Sequence, residues 1–230
     1  MADLKIEFLL MELQNNILIR IKNILKPYYL PYLHRLKKWR NIKALNANGN
    51  EVLKVAKAAF DEVGVFFWLD FGTLLGAHRD GRLISHDSDI DVAVFLKDYN
   101  PKIKDTLLEH GFSFQHRIDV EGGAYGLEES FRFKNVGFDI FYYIQKGNKM
   151  YCHLFPLDKH KNRIIRELQM DYSGFRTIDF LGEQFNVPKN TEQRLIDTYG
   201  KEYLIPIKDW HTPNDALNST IISKTYKIKT

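Results

Sequence analysis

The segment HDSDIDVAVF, residues 86–95, places aspartate at three alternate positions and continues as an apolar run. Alternate residues of an extended strand point to the same side, so we expect Asp87, Asp89 and Asp91 to share one face. The intervening Ile90 and Val92 would then face a core. Crowded carboxylates raise one another's pKa and are costly to bury unless a cation or hydrogen-bond donors hold their charge. The pattern therefore favours a divalent-cation site.

Two other interpretations of the aspartates can be compared with this one. An EF-hand loop that started at Asp87 would need glycine at its sixth position and glutamate at its twelfth, where this chain has Val92 and Asp98. A strand with a solvated acidic face is the other alternative, and the aspartate pattern alone leaves it open.

The composition indicates a globular protein. Its 230 residues, 44% of them hydrophobic, are enough for one large domain or for a domain with an appendage. The single cysteine, Cys152, excludes an internal disulfide. The first residues, MADLKIEFLLMELQ, carry acids where a signal peptide would be basic, and no apolar run approaches the roughly 20 residues that span a bilayer. We therefore expect a cytoplasmic protein.

Positive charge is concentrated near the amino terminus. No acidic residue lies between Glu12 and Glu51, and the cations in that interval are Arg20, Lys22, Lys26, Arg35, Lys37, Lys38, Arg40 and Lys43. In ILKPYYLPYLHRLKKWR these cations alternate with aromatic and leucine residues. The pattern predicts a basic N-terminal helical appendage, residues 1–45. Residues 20–43 would either contact the anionic inner face of a membrane or form a solvated basic face whose aromatic residues pack on the main domain. No recognised motif accompanies the segment, so we do not predict nucleic-acid binding.

The remainder of the chain mixes helices and strands. After a predicted loop, NANGN, the spacing of EVLKVAKAAFDEVG predicts a helix that faces the core. VFFWLD then predicts a buried strand that ends at Asp70, followed by the turn FG and a short helix that starts near Thr73. The segments FSFQHRI, SFRFKN and FDIFYYI predict three strands, FRTIDFLGEQFNVP a hairpin and TEQRLIDTYG a helix. Helices and strands are thus predicted to intermix along the chain.

The stretch DFGTLLGAHRDGRLISHDSDIDVAVF resembles the LicD family, which includes bacterial phosphocholine transferases and the animal fukutin and fukutin-related ribitol-phosphate transferases. FDIFYY resembles a later strand of that family, and FLGEQFNVPKNTEQRLIDTYGKEYLIP resembles its closing pattern. The resemblance covers residues 50–210 and implies a catalytic domain over residues 46–230, with an α/β nucleotidyltransferase fold that has a mixed central sheet flanked by helices. One departure is Ser85-His86, where family members commonly have Pro-Trp.

The chemistry of these residue types assigns each a role. Gly72 would allow close backbone approach, and Thr73 with the amides that begin its helix would bind a phosphate of the donor. Arg79 matches the family's motif and would neutralise a diphosphate. Asp89 and Asp91 would hold Mg²⁺ or Mn²⁺ through oxygen ligands.

Asp139 lies in the apolar setting GFDIFYY and is expected on a strand adjacent to the aspartate strand. It would either complete the metal shell or take the proton of an acceptor hydroxyl as general base. Asp87 would be a ligand of a second metal ion or a supporting residue, and the pattern leaves both roles open.

The resemblance implies an enzyme. A LicD-type phosphotransferase would move an alcohol phosphate, such as phosphocholine or ribitol phosphate, from a CDP-activated donor to a hydroxyl of a glycan or lipid-linked glycan. It would release CMP and act in the modification of cell-surface polysaccharide. The alternatives are a nucleotidyltransferase that releases pyrophosphate from an NTP and a non-catalytic subunit of glycan assembly.

Overall fold

The computed structural model of the chain describes residues 2–158, 162–208 and 210–222, with side chains from residue 23 onward. The helices are α1 (Ala2–Glu62), α2 (Phe71–Arg79), α3 (Lys102–Glu109), α4 (Thr191–Tyr199) and α5 (Thr212–Asp215). None of the helices in the described ranges is long and apolar enough to cross a membrane. The chain divides into two compact units between Arg40 and Asn41. The predicted domain boundary after residue 45 stays a prediction.

Most strands join one mixed sheet. The strands are β1 (Trp68–Leu69), β2 (Asp89–Phe95), β3 (Ser113–Gly123), β4 (Gly126–Phe133), β5 (Val136–Lys146), β6 (Lys149–Leu154), β7 (Ile165–Asp171), β8 (Phe175–Phe180), β9 (Glu183–Pro188) and β10 (Ser219–Ile222). The sheet has the order β1-β2-β5-β6-β7-β10, and β4 also pairs with β5 and with β3. β2 and β5 pair in parallel, whereas β8 and β9 form a separate antiparallel hairpin. The predicted α/β fold with a mixed central sheet is confirmed.

Apolar packing on both faces holds the sheet in place. On one face Ile90 and Val92 of β2 contribute fully buried side chains to the larger core, which also contains the end of α1 through Leu53 and Phe60. On the other face, Trp68 and its neighbours form a second core further along the strands. The alternation of β2 therefore directs its apolar side chains into the core, as predicted, and leaves its aspartates on the opposite face.

The predicted loop NANGN is wrong, because α1 continues through it. Asn46 Nδ2 donates to the carbonyl oxygens of Ile42 and Ser85, both at 2.8 Å. Gly49 packs so closely that an added β-carbon would lie 2.5 Å from Leu83 Cδ1. Tertiary contacts of this kind override the weak helix propensity of asparagine and glycine. The helix of residues 51–62 that follows is confirmed.

Candidate metal-binding site

The amino ends of β2 and β5 bring the predicted acidic residues together. In the parallel register, Asp91 lies opposite Asp139 and Asp89 lies opposite Gly137. Paired residues of adjacent strands point to the same face, so Asp89, Asp91 and Asp139 share one face of the sheet. The structure therefore juxtaposes the three predicted metal ligands, while their role stays a prediction.

Asp87 does not lie on the strand. β2 begins at Asp89, and Asp87 belongs to the turn before it. The Asp87 N–H donates to the Ile84 carbonyl oxygen at 3.1 Å, and the Asp87 carboxylate accepts from the Ser88 N–H at 2.8 Å. An aspartate that binds a neighbouring amide favours a turn over a strand. The prediction that all three aspartates share one strand face is therefore wrong at Asp87.

Helix α2 begins at Phe71, before the predicted start near Thr73. Asp70 is its N-cap, and Asp70 Oδ1 accepts from the Phe71 N–H at 2.8 Å. Aspartate is a preferred N-cap residue because its carboxylate satisfies an amide that has no partner within the helix. Gly72 consequently belongs to the first turn of α2.

Gly72 and Thr73, the residues predicted to bind donor phosphate, both contact Asp91. The Gly72 N–H donates to Asp91 Oδ2 at 3.2 Å, and the Asp91 N–H donates to Thr73 Oγ1 at 2.9 Å. Thr73 is buried. These bonds fix both the carboxylate and the backbone of Asp91 relative to α2, and donor binding by Gly72 and Thr73 stays a prediction.

The missing side chain of Gly72 gives the carboxylates room. A β-carbon added to Gly72 would lie 2.2 Å from Asp87 Oδ2 and 3.5 Å from Asp91 Oδ2. The shorter separation is far below the van der Waals contact distance. Glycine at this position therefore allows Asp87 and Asp91 to approach the start of α2.

Crowding and burial change the ionisation of the site. Burial, followed by the charges of Asp87 and Asp139, raises the pKa of Asp89 well above its ordinary value. Burial, followed by the charges of Asp89 and Asp87, raises the pKa of Asp91 in the same way. Burial, followed by the charge of Glu128, raises the pKa of Asp139 to about 7. The ionised carboxylates are therefore disfavoured here unless a cation offsets their charge.

Arg79, the predicted ligand of a diphosphate, forms an ion pair with Asp80 at the end of α2. Its Nε and Nη2 atoms donate to the two carboxylate oxygens of Asp80 at 2.9 and 2.8 Å. The hydrogen bond to Arg79 lowers the pKa of Asp80. A contact between Arg79 and a diphosphate stays a prediction, and it would compete with this ion pair.

The donor set fits a hard divalent cation. Asp89, Asp91 and Asp139 offer only carboxylate oxygens, the ligands that Mg²⁺ and Mn²⁺ prefer. Asp139 Oδ1 is buried and has no hydrogen-bond partner within the described ranges. Among the described residues, no three histidine, cysteine or acidic side chains already converge as a metal cluster. The residue types therefore fit such a cation, and its binding here stays a prediction.

Three buried residues beside the site were not among the predicted site residues. Asp70, Tyr143 and Arg194 are 0%, 1% and 3% exposed. The Tyr143 hydroxyl donates to Asp70 Oδ2 at 2.6 Å, and Arg194 Nη2 donates to the Tyr143 hydroxyl at 2.7 Å and to Asp70 Oδ1. A buried aspartate that ends an apolar strand needs a cation, which was the available signal. Nothing in the spacing identified Arg194 as that cation.

Glu128 is a further acidic residue on the same face that sequence patterns did not reveal. β4 is antiparallel to β5, with Ser130 opposite Asp139 and Glu128 opposite Phe141. Glu128 Oε1 lies 3.6 Å from His116 Nε2, and this nearby carboxylate raises the pKa of His116. The acidic face thus extends from β2 across β5 to β4.

Comparison with known proteins shows the family of the chain. The family model described as LicD/FKTN/FKRP, nucleotidyltransferase domain, matches residues 64–190. The matched range contains the start of α2 and the paired amino ends of β2 and β5.

Curated relatives carry transferase names. The chain is 32% identical over 163 residues to the ribitol-5-phosphate transferase FKTN of Mus musculus, which covers 70% of this chain and 34% of the relative. It is 27% identical over 168 residues to the FKTN protein of Homo sapiens, with 73% and 35% covered. The ribitol 5-phosphate transferase FKRP of Mus musculus is 40% identical over 57 residues, which are 25% of this chain and 11% of FKRP. The chain thus spans about a third of the length of the FKTN proteins. The family match and the FKTN similarity together show that the chain belongs to the LicD/FKTN/FKRP nucleotidyltransferase domain family.

Proposed function

We propose that this chain is the catalytic domain of a metal-dependent phosphotransferase that moves an alcohol phosphate from a CDP-activated donor to a glycan hydroxyl. Ribitol phosphate is the first candidate group, because the FKTN and FKRP relatives are named ribitol-phosphate transferases. The observation that carries the proposal is the common face of Asp89, Asp91 and Asp139 at the amino ends of two parallel strands.

Asp89 and Asp91 would hold Mg²⁺ or Mn²⁺, with Asp139 as a third ligand. Such an ion offsets the negative charge of a diphosphate donor and of the phosphoryl group in transfer. The amide of Gly72 holds Asp91 Oδ2 in place at 3.2 Å. Positioning before the reaction lowers the barrier, because the carboxylates need not reorganise during the transfer.

The transfer itself needs one bond formed and one broken. The acceptor oxygen bonds to the phosphorus distal to cytidine, the bond from that phosphorus to the bridging oxygen breaks, and CMP leaves. The hydroxyl proton needs an acceptor near neutral pH. Asp139, with a pKa raised by burial to about 7, is suited to this role if it is not a metal ligand.

Product analysis tests the proposal. The full chain is incubated with CDP-ribitol, CDP-choline or CTP, with Mg²⁺ or Mn²⁺ and a glycan acceptor, and release of CMP and pyrophosphate is measured. We expect metal-dependent CMP release from a CDP-alcohol, and we expect that donor to raise the melting temperature through selective binding to the folded protein. Pyrophosphate release from CTP would instead identify a nucleotidyltransferase. A lack of metal-dependent turnover and donor binding with every compound would contradict an enzymatic role.

We also propose that the predicted basic segment, residues 20–43, contacts an anionic membrane or a lipid-linked acceptor. Tyr28 and Tyr32 are 79% and 62% exposed. Together with Leu36 they are spaced four residues apart, which places them along one side of a helix, while Lys26 and Lys37 fall on the other side. The side chains of Arg20 and Lys22 lie outside those that the structure describes.

Vesicle sedimentation tests this contact. The double variant Tyr28→Ser, Tyr32→Ser should bind vesicles of anionic lipid less than the wild type does, because it removes exposed apolar surface from the interface. Lys26→Gln with Lys37→Gln should weaken binding chiefly at low salt, where charge attraction is least screened. Unchanged sedimentation of both variants would exclude the membrane role, with no effect on the proposed chemistry.

A further inference from the structure

Arg194 lies at the centre of a buried polar cluster that joins several elements. Its Nη2 atom donates to Asp70 Oδ1 and, at 2.7 Å, to the Tyr143 hydroxyl, and its Nη1 atom donates to Met170 Sδ. The Tyr143 hydroxyl in turn donates to Asp70 Oδ2 at 2.6 Å. One guanidinium on α4 therefore connects β5 and β7 to the residue that caps α2.

A strained backbone follows directly after Asp70. Phe71 has a φ of 39°, in the left-handed region that is unfavourable for a bulky side chain. Such a conformation persists only where the surrounding contacts over-determine it. The Phe71 N–H donates to Asp70 Oδ1 at 2.8 Å, and the Phe71 ring packs edge-on against Phe141 with centroids 4.8 Å apart. The buried cluster thus holds the strained start of α2.

The next residue carries this constraint into the site, because the Gly72 N–H donates to Asp91 Oδ2. We propose that Arg194, acting through Asp70 and Tyr143, is a positioning residue that sets the orientation of the Asp91 carboxylate for a divalent cation. The inference rests on the proposed metal-dependent function. The inference adds Arg194, a buried cation far from Asp91 in sequence, to the residues on which that function depends.

A second buried tyrosine provides a matched control. Tyr142 is adjacent to Tyr143 in β5 but faces the other side of the sheet, where its hydroxyl donates to Glu129 Oε2 at 2.7 Å. Tyr142 and Tyr143 are 2% and 1% exposed. Replacing either with phenylalanine therefore removes one buried hydroxyl from one buried carboxylate, and only Tyr143 contacts the carboxylate that caps α2.

The test compares the full-length wild type, Tyr143→Phe and Tyr142→Phe. Amide hydrogen exchange reports the opening of α2, and calorimetric titration with Mn²⁺ reports the affinity of the site. We expect Tyr143→Phe to accelerate exchange in residues 71–79 and to weaken Mn²⁺ binding by about tenfold, the low end of the effect of outer-sphere partners on metal affinity. Tyr142→Phe should do neither, although both variants should lose thermal stability.

Arg194→Lys supplies a second line of evidence. Lysine keeps a cation that faces Asp70 but lacks the planar guanidinium, whose Nη2 atom donates to both Asp70 and Tyr143 while Nη1 donates to Met170 Sδ. We expect weaker Mn²⁺ binding than in the wild type, with the loss at least as large as in Tyr143→Phe. If Arg194→Lys does not fold, the two phenylalanine variants decide the question alone.

Equal exchange in α2 and equal Mn²⁺ affinity of the two phenylalanine variants would overturn the inference and leave the proposed function intact. A wild-type protein that binds no Mn²⁺ and no Mg²⁺ would overturn the metal-dependent function, and the inference with it. Faster exchange of α2 in Tyr143→Phe without any change in Mn²⁺ affinity would reduce the cluster to a structural role, and so would also overturn the inference.

Discussion

Buried carboxylates lie on both faces of the sheet, and their negative charge is offset differently on the two faces. Glu129 on β4 is buried on the face of the larger core, where it accepts a hydrogen bond from the Tyr142 hydroxyl at 2.7 Å. Arg117 Nη1 donates to its other oxygen at 3.3 Å. The fold therefore supplies Glu129 with both a hydrogen-bond donor and a cation.

The site aspartates are treated differently. Asp89, Asp91 and Asp139 form no ion pair with lysine or arginine in residues 23–158, 162–208 and 210–222. They raise one another's pKa instead. The contrast teaches that this fold can provide a cation for a buried carboxylate, and that it provides neither lysine nor arginine for the site aspartates among the described residues, which is consistent with the proposed metal site.

The largest predicted effect is the loss of activity on removing the charge of one site carboxylate. Asp91→Asn keeps the shape and removes the charge, so the fold should persist and gain stability as repulsion falls. CMP release should fall about a thousandfold or more, because a lost metal-holding charge costs several kcal/mol in the transition state. Asp98→Asn, an exposed acid just after β2, is the control and should turn over normally. Turnover of Asp91→Asn near that of the wild type would remove the metal site from the mechanism.

The next largest predicted effect is a loss of stability when Arg117, on the opposite face of the sheet from the site, is replaced. Arg117→Met should leave Glu129 without its cation and lower the free energy of unfolding by about 1 to 2 kcal/mol, a loss moderated by solvent because Arg117 is 34% exposed. Glu129→Gln added to this variant should recover part of the loss, since the unbalanced charge is gone. Urea unfolding at neutral pH measures both changes. A fall in turnover of the folded Arg117→Met protein would show that the two faces are not independent.

The pH dependence of stability gives a smaller and sharper test. The pKa of Asp139 is about 7 in the folded state, whereas an unfolded aspartate titrates near pH 4, so the folded state binds more protons between these values. The free energy of unfolding should therefore decrease as the pH rises from about 4 to about 7. Asp139→Asn should reduce this slope and be more stable than the wild type at pH 8. Denaturant unfolding at several pH values checks this, and equal slopes would contradict it.

The smallest expected effect concerns His116. Its contact with the Glu128 carboxylate raises its pKa, so this contact stabilises the fold at low pH and the contribution is lost as the pH rises through the folded pKa. Glu128→Gln should lower the pKa of His116, and the change in stability should be below about 1 kcal/mol because the pair is partly exposed. An NMR titration of the His116 ring measures the shift. An unchanged pKa would show that the Glu128 carboxylate does not stabilise the protonated His116 ring.

The local sequence pattern was sufficient to predict β2, the strand that carries Asp89 and Asp91. The alternation of Ile90 and Val92 with aspartate predicts β2 and its two faces, because side-chain direction in a strand is a local property. Asp87 could not be assigned correctly in this way, since its bond to the Ser88 amide begins a turn instead. The placement of Asp89 and Asp91 on one strand face was therefore readable from the sequence, and the exact start of the strand was not.

Contacts between residues far apart in the chain could not be predicted from the sequence. The Asp70 and Arg194 pair joins residues 124 positions apart, and no spacing rule connects them. The predicted loop NANGN failed for a related reason, since Asn46 finds a partner in Ser85. Local propensity cannot anticipate a partner that only the folded chain brings close.

The parallel pairing of β2 with β5 has a consequence for how the protein folds. β3, β4 and β5 follow one another as antiparallel neighbours, so their contacts close short loops and should form early. Asp91 meets Asp139 only when β2 docks on β5 beyond this meander. We therefore expect the refolding chain to acquire affinity for Mn²⁺ no earlier than its slowest folding phase, which stopped-flow refolding in the presence of Mn²⁺ would reveal.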